Sequence, residues 1–531
     1  MISSFFRIYL YILGSRCSTQ KGDELYSIVT TAILHGIDSL PVQVEADVSD
    51  GLPIFEMVGF LASEVREAKE RVRTALRNCG HQLPAKRITI NLFPANIKKS
   101  GNGFDLPITV AVLTALGIIP EEALQDTLVI GEIGLNGAVL AVDGVLPILL
   151  QAKERGIRRC IIPKDNYKEA SLVDELTVFP AAHIKSVMDF CSGAYTVIEE
   201  PCGQPVGQPA DIPDFGDVNG QKMLRRACEI AVSGMHNLLM IGPPGAGKTM
   251  IAKRIPGILP PMEQDERMEV SKIYSVCGML HASEGLIDRR PFRAPHHTIS
   301  PQGLSGGGVI PKPGEVSLAH RGVLFLDELP EFQKSTLEIL RQPMEDKRIT
   351  ISRVNGSFTY PADFLLVCAM NPCKCGFFPD RTKCRCANNS IRQYLSRISQ
   401  PLLDRIDLCA EAEPVTYPEL TGQAQGENSA QIRARVLAAH ELQRNRYQKE
   451  NWYFNSQIPV AKLKTYCVLG KKEAAYMERI YEKLQLSARA YHKIIKLSRT
   501  IADLEGSERI TTRHLTEAVC YRSLDKKYWE V

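Results

Sequence analysis

No stretch of this 531-residue chain has the roughly 20 consecutive apolar residues needed to span a bilayer. The nearest approach, Phe5–Leu13, is short and is interrupted by Arg7. It also lacks the order of a secretory leader, in which charge comes first and small residues last. No membrane partner is expected. The chain has no dominant charge either: 64 Lys and Arg against 60 Asp and Glu leave a net +4. That balance neither demands nor excludes nucleic acid, so any basic surface must be a local patch. Internal repeats and low-complexity tracts are missing. With 44% hydrophobic and 23% charged residues, the composition excludes a mainly disordered, collagenous or coiled-coil chain. The length implies about three to four domains.

Cysteine is plentiful by contrast, with 15 residues. Most are dispersed, as in a reducing compartment, and a cytoplasmic protein is expected. Cys373, Cys375, Cys384 and Cys386 instead form C-x-C-x₈-C-x-C. Four thiolates can close a tetrahedral Zn²⁺ site, although this spacing is tighter than the usual C-x₂-C pairs. Disulfides and unliganded thiols are the alternatives. His296 and His297 have no acidic or cysteine partner nearby in sequence and are read as loop residues.

Residues 1–24 read as an N-terminal extension with no role in the fold. Residues 25–200 alternate strand-like and helix-like stretches. Val42–Val48 alternates apolar and polar residues, and Ser63–Asn78 places Val65, Ala68, Val72 and Leu76 at helical spacing. Residues 201–216 are dense in Pro and Gly and read as a linker. Residues 217–411 form a long α/β block, 412–429 a second linker, and 430–531 a helical region.

The chemistry concentrates in the α/β block. The strand-like run Asn237–Ile241 leads into Gly242-Pro243-Pro244-Gly245-Ala246-Gly247-Lys248-Thr249, which fits G-x-x-x-x-G-K-[ST] in full. Glycines let backbone N–H groups wrap phosphates, Lys248 reaches the β- and γ-phosphates, and Thr249 ligates Mg²⁺. ATP and Mg²⁺ are the expected cofactors. Downstream, Gly322–Leu326 is apolar and ends in Asp327 and Glu328. Asp327 is expected to hold Mg²⁺ and Glu328 to act as general base toward water. Phe364–Met370 is a third apolar strand, ending at Asn371. Arg405 stands between Asp404 and Asp407. A structural salt bridge is the alternative reading of Arg405.

The order of these motifs resembles an AAA+ ATPase of the magnesium-chelatase-like branch. Arg293–His297, Gly306–Gly308, Pro313–His320 and Leu326–Phe332 are similar to the ComM/YifB family. The resemblance covers about residues 25–525, and family members usually start near Leu25. It implies an AAA+ P-loop core with a helical lid. Asn371 then resembles sensor 1, Arg405 an arginine finger, and Arg489, in Ser487-Ala488-Arg489-Ala490, the sensor-2 arginine. Asp217–Gln221 sits where the family approaches the adenine. A finger completes a neighbour's site, so the resemblance implies a self-assembled ring, in this family a hexamer.

Lys99–Thr109 and Gly131–Gly144 are similar to the Lon-protease domain, an α+β fold of the ribosomal S5 domain 2-like type. A Lon-type protease needs a serine nucleophile and a lysine base. The corresponding positions fall on Asp105 and near Leu146, so this proteolytic chemistry is expected to be lost. A scaffold, or a DNA or partner surface, is what remains. Arg66, Lys69, Arg71, Arg73, Arg77, Lys86, Arg87, Lys98 and Lys99 are the candidate contacts, and a solvated helix face is the alternative.

Arg348–Arg353 and Ser357–Tyr360 flank Val354-Asn355-Gly356, a hairpin signal. In ring ATPases of this kind a hairpin before sensor 1 points into the pore. There Arg353 could touch phosphates, with Arg289, Arg290, Arg293 and Lys312 adding to the lining; a plain surface hairpin is the alternative. The leading expectation is a hexameric DNA motor on single-stranded or branched DNA, a branch-migration helicase of recombination or natural transformation. The alternatives are a chelatase-type ATPase subunit that drives metal insertion or remodels a protein, and a protease or its regulator.

Overall fold

The computed structural model describes residues 25–194, 212–280, 285–308, 311–353, 356–413 and 426–529. The expected extension 1–24, most of the first linker and the hairpin tip Val354-Asn355 lie outside them. The chain divides into two compact units, one within residues 1–201 and the other made mainly of residues 202–531. No helix among the described residues is long and apolar enough to cross a membrane.

The first unit is a mixed α/β layer. Its strands are β1 (Tyr26–His35), β2 (Asp38–Ser49), β3 (Phe55–Val58), β4 (Arg87–Phe93), β5 (Thr127–Val129), β6 (Glu132–Ile133), β7 (Val139–Leu140), β8 (Arg159–Pro163) and β9 (Thr177–Ala181). Seven form one sheet in the order β3-β4-β2-β1-β5-β8-β9, while β6 and β7 make a small antiparallel ladder. Helix α1 (Ser63–Asn78) buries Val65, Ala68, Val72, Ala75 and Leu76, the stripe its spacing predicts. Helix α2 (Asp105–Ala115) is buried along its whole length. Each fully buried Leu or Val in this core contributes roughly 1.5–3 kcal/mol relative to exposure.

The second unit opens earlier than the Pro- and Gly-rich composition suggests. Phe215 is fully buried, and the Asp214 carboxylate accepts from Gly216 N at 2.6 Å and from Ser429 N at 3.1 Å. Ala412 is likewise buried, and Asn428 caps the helix starting at Ser429. The connecting segments are therefore narrower than residues 201–216 and 412–429.

After helix α3 (Lys222–Gly234) come β10 (Leu238–Ile241), helices α4 (Lys248–Ala252) and α5 (Gln264–Val276), β11 (Phe292–Arg293) and the short pair β12 (Gly306–Gly307) and β13 (Lys312–Pro313). Then follow β14 (Val323–Leu326), helix α6 (Arg341–Asp346), hairpin strands β15 (Arg348–Arg353) and β16 (Gly356–Pro361), β17 (Leu365–Met370) and β18 (Leu408–Glu411). Strands β11-β14-β17-β10-β18 form one sheet, parallel at every pairing. Every residue of β10, β14 and β17 is buried, as continuous apolar runs require when both faces are covered. Helices α7 (Ser429–Arg446), α8 (Lys471–Lys483), α9 (Ala488–Leu504) and α10 (Thr512–Trp529) complete the unit. Ligands of such sheets bind beyond the carboxyl ends of the strands. The sequence motifs follow the ends of β10, β14 and β17.

Candidate active site

The register of the sheet sets the site. Ile241 pairs with Met370, so the glycine loop leaves β10 beside Asn371. Gly247 takes φ 81° with open space where a side chain would stand, a left-handed turn that keeps the loop backbone accessible. An open cavity of about 390 Å³ is lined by Pro244–Met250, Asp327, Glu328, Met370 and Asn371. Five residues read from sequence, Lys248, Thr249, Asp327, Glu328 and Asn371, thus meet in one place.

Lys248 is buried, and its ammonium donates to Gly242 O and Pro243 O at 2.8 Å each and to Asn371 Oδ1 at 3.1 Å. Burial pushes its pKa down, against the opposing pull of Asp327. Its neighbours are carbonyl and amide oxygens rather than a bonded carboxylate, which suits an ammonium meant for phosphate. Thr249 Oγ1 donates to Asp327 Oδ2 at 2.5 Å. These are hard oxygen donors of the kind Mg²⁺ takes. Glu328 adopts φ 51° and ψ 45°, a left-handed conformation costing a non-glycine residue roughly 1–2 kcal/mol. Such strain belongs where a side chain must be aimed.

His297 stands 3.2 Å from Glu328, Nδ1 to Oε2. The loop reading of His297 is therefore incomplete: its acidic partner is distant in sequence and near in space. Arg290 and Arg293 do not fit a nucleic-acid lining. Arg290 is bonded to Glu266 at 2.7 Å and to Arg321 O at 2.8 Å, and Arg293 makes a bidentate pair with Glu315 at 2.6 and 2.7 Å. Asp217–Gln221 does not line this cavity. Val218 and Gly220 border a separate one of about 370 Å³, with Arg225, Arg226, Glu229 and Arg435.

Arg405 and Arg489 gather elsewhere. Arg405 pairs with Glu345 and donates to Pro401 O at 2.6 Å. Arg489, half-exposed at the start of α9, lies 3.8 Å from the same Glu345 and 3.9 Å from Asp404. Neither borders the phosphate cavity of its own chain. Downstream of Asn371, the four thiols Cys373, Cys375, Cys384 and Cys386 lie within 4.8 Å of one another and could hold a metal ion.

Three family models match: magnesium chelatase subunit ChlI over residues 214–420, subunit ChlI of Mg-chelatase over 44–166, and the ChlI C-terminal region over 426–522. The uncharacterized protein YifB of Salmonella typhimurium is 41% identical over 94% of this chain and 97% of its own length. The competence protein ComM of Haemophilus influenzae is 42% identical over the same shares. The chain belongs to the YifB/ComM family. An archaeal Lon protease of Pyrococcus abyssi is 26% identical over 32% of this chain and 18% of its own length. This YifB/ComM-family chain is thus an AAA+ ATPase of magnesium-chelatase type with a Lon-like N-terminal part.

In this family member Asp105, where the Lon resemblance places the serine, forms a structural ion pair. Asp105 is buried and accepts from Arg71 at 2.6 and 2.9 Å. Leu146 is buried in the helix Val145–Glu154. The basic roster read from sequence shrinks accordingly. Arg71 is taken by Asp105. Lys99 is buried on Pro94 O, its pKa pushed down to about 8 by burial. Lys86 and Arg87 pair with Asp50 and Glu56. Arg66, Arg73 and Arg77 are exposed on α1 beside exposed Glu67 and Glu70, a mixed, solvated face.

Proposed function

We propose that this chain is an ATP-driven ring motor of six subunits acting on single-stranded or branched DNA in the cytoplasm, as in branch migration during recombination or natural transformation. The observation that carries the ring is the division of the catalytic set. Lys248, Thr249, Asp327, Glu328 and Asn371 surround one cavity, whereas Arg405 and Arg489 collect on Glu345 away from it. Such a chain is complete only when the arginines of the next subunit reach its nucleotide.

Bound Mg²⁺ would neutralise charge on the phosphates, held by Thr249 and Asp327. Lys248 trades its loop carbonyls for the β- and γ-phosphates. Glu328 takes the proton of the attacking water, and Asn371 orients that water. Arg405 of the next subunit, with Arg489 beside it, offsets charge on the transferring group. The DNA step rests on the hairpin of β15 and β16, six paired positions ending at Arg353 and Gly356, and on a relative that is a competence protein. A phosphate contact by Arg353 is independent of base sequence and weakens with salt. The four cysteines are read as a structural Zn²⁺ site.

The test is an ATPase assay with and without single-stranded and forked DNA at low salt. Stimulation by DNA is expected; an unchanged rate with no gel shift removes the DNA reading. Arg405→Ala is expected to lower turnover by about 10³-fold or more, the scale of an arginine finger, with nucleotide affinity kept. A chelatase-type subunit is the second reading, favoured by the three ChlI matches. Stimulated metal insertion into a porphyrin without any DNA response would select it.

A further inference from the structure

The cysteine cluster touches the phosphate loop, which gives a bound metal something to control. Cys373, Cys375 and Cys384 have Sγ–Sγ separations of 3.3, 3.6 and 3.8 Å. A tetrahedron of thiolates with bonds of about 2.3 Å to Zn²⁺ has sulfur–sulfur edges of about 3.8 Å. For these three, closure needs shifts of up to about half an ångström; Cys386 completes a set whose sulfurs all lie within 4.8 Å, so its approach closes by up to about one ångström. Lys374 and Arg385 occupy the middle positions of the two C-x-C pairs, so positive charge accompanies the four thiolates. Arg381 adds to it, donating to Cys386 O at 2.9 Å.

Two attachments connect this loop to the nucleotide machinery. Cys373 follows Asn371 by two residues, and Asn371 Oδ1 accepts from Lys248. The turn closed by Gly376 N on Cys373 O at 3.0 Å carries Gly376 at φ 85°, and a side chain there would collide with the Pro244 ring. The cysteine loop thus lies backbone-first against the phosphate loop. Cys373, Phe378 and Cys384 reach the core and Cys375 and Cys386 pack against it, whereas Lys374 and residues 379–383 are exposed, so the cysteines themselves supply most of what anchors this stretch. Four metal bonds would fix its shape.

We infer that the four cysteines bind one Zn²⁺ and that the metal-stapled loop is a brace, holding the phosphate loop at Pro244 and the sensor at Asn371 in the spacing a nucleoside triphosphate needs. The inference rests on the nucleotide reading of the Lys248 cavity. Cys373, Cys375, Cys384 and Cys386 are the ligands, and Gly376 is a positioning residue.

The test uses the full chain purified from zinc-supplemented cells. Elemental analysis is expected to give one zinc per chain. A zinc-selective chelator is expected to weaken binding of a fluorescent ATP analogue by at least tenfold, and added Zn²⁺ to restore it. Gly376→Ala is expected to keep its zinc yet weaken the analogue by a similar factor, because it disturbs Pro244 without touching a thiol. Circular dichroism of the chelated wild type is expected to show the sheet intact, so the result does not depend on a cysteine variant folding. A zinc-free chain, or full affinity after the metal is stripped, overturns the inference. Zinc-loaded chain that binds no ATP analogue at all is a failure of the nucleotide reading instead, and it removes the brace with it.

Discussion

Lys248 and Glu328 line the same cavity but are held in opposite ways. The ammonium is 8% exposed and satisfied by three oxygens of its own chain, so phosphate must displace ready-made bonds. Lys248→Ala is expected to abolish tight nucleotide binding, read as loss of the fluorescent ATP analogue signal. Glu328→Gln removes only the proton acceptor. It should keep that signal and cut turnover by about 10²–10⁴-fold, the range of general-base catalysis. Equal losses of binding in both variants would refute this division of labour. His297 Nδ1 stands 3.2 Å from Glu328 Oε2, one of the two oxygens that could take a proton from water. His297→Ala should free the carboxylate and raise DNA-independent turnover several-fold, shrinking the ratio of stimulated to basal rate. A basal rate that falls would show that His297 supports Glu328 rather than restrains it.

At the scale of elements, Asn237 at the foot of β10 ties three parts together. Its backbone N donates to Asp407 Oδ2 at 2.9 Å, its Nδ2 to Arg405 O at 3.2 Å, and its Oδ1 accepts from Leu366 N of β17 at 3.1 Å. The strand that feeds the phosphate loop is thereby fixed to the loop that presents the arginine. Asn237→Ala leaves Leu366 N without this acceptor, and an unmade buried bond costs about 1–3 kcal/mol. Melting should fall accordingly. Turnover should drop by about tenfold or more from a misplaced Arg405, with nucleotide affinity kept. Unchanged turnover in a folded variant would deny the link. Asn237 shows where sequence legibility stops. The phosphate loop, the acidic pair and α1 are written in contiguous residues, so spacing alone exposes them. The partners of Asn237, His297, Arg290, Arg293 and Arg71 are separated along the chain, and only the fold decides which charge is spent. Among the arginines named as candidate DNA contacts, Arg71, Arg87, Arg290 and Arg293 proved to be paired for that reason. Strand β9 was hidden because five residues containing Pro180 carry too little alternation.

Across the whole molecule, stability should report on how the helical region is joined to the parallel sheet. His236 precedes β10 and is almost fully buried; its Nε2 lies 2.7 Å from Thr500 Oγ1 on α9. Thr500 Oγ1 also accepts from Asn455 Nδ2 at 3.0 Å and lies 3.3 Å from Lys496 O. Burial pushes the His236 pKa down to about 4, against the attraction of Asp407. His440 on α7 faces Val232 O at 3.2 Å and is pushed down to about 4 as well, again by burial. Both imidazoles are therefore neutral when folded. The unfolded chain protonates them near pH 6.5, so between about pH 6.5 and 4 it binds more protons than the folded chain does. Stability is then full above that window and falls as pH drops through it. For His236 the loss approaches about 3 kcal/mol at the acid end, from the cited shift at about 1.4 kcal/mol per pH unit. The melting temperature of the apo chain should decline steadily from pH 7 to pH 5, and a double variant His236→Gln with His440→Gln should flatten that slope. A wild-type curve that rises on acidification would mean that the two histidines are charged in the native state and that the join is electrostatic rather than buried and neutral.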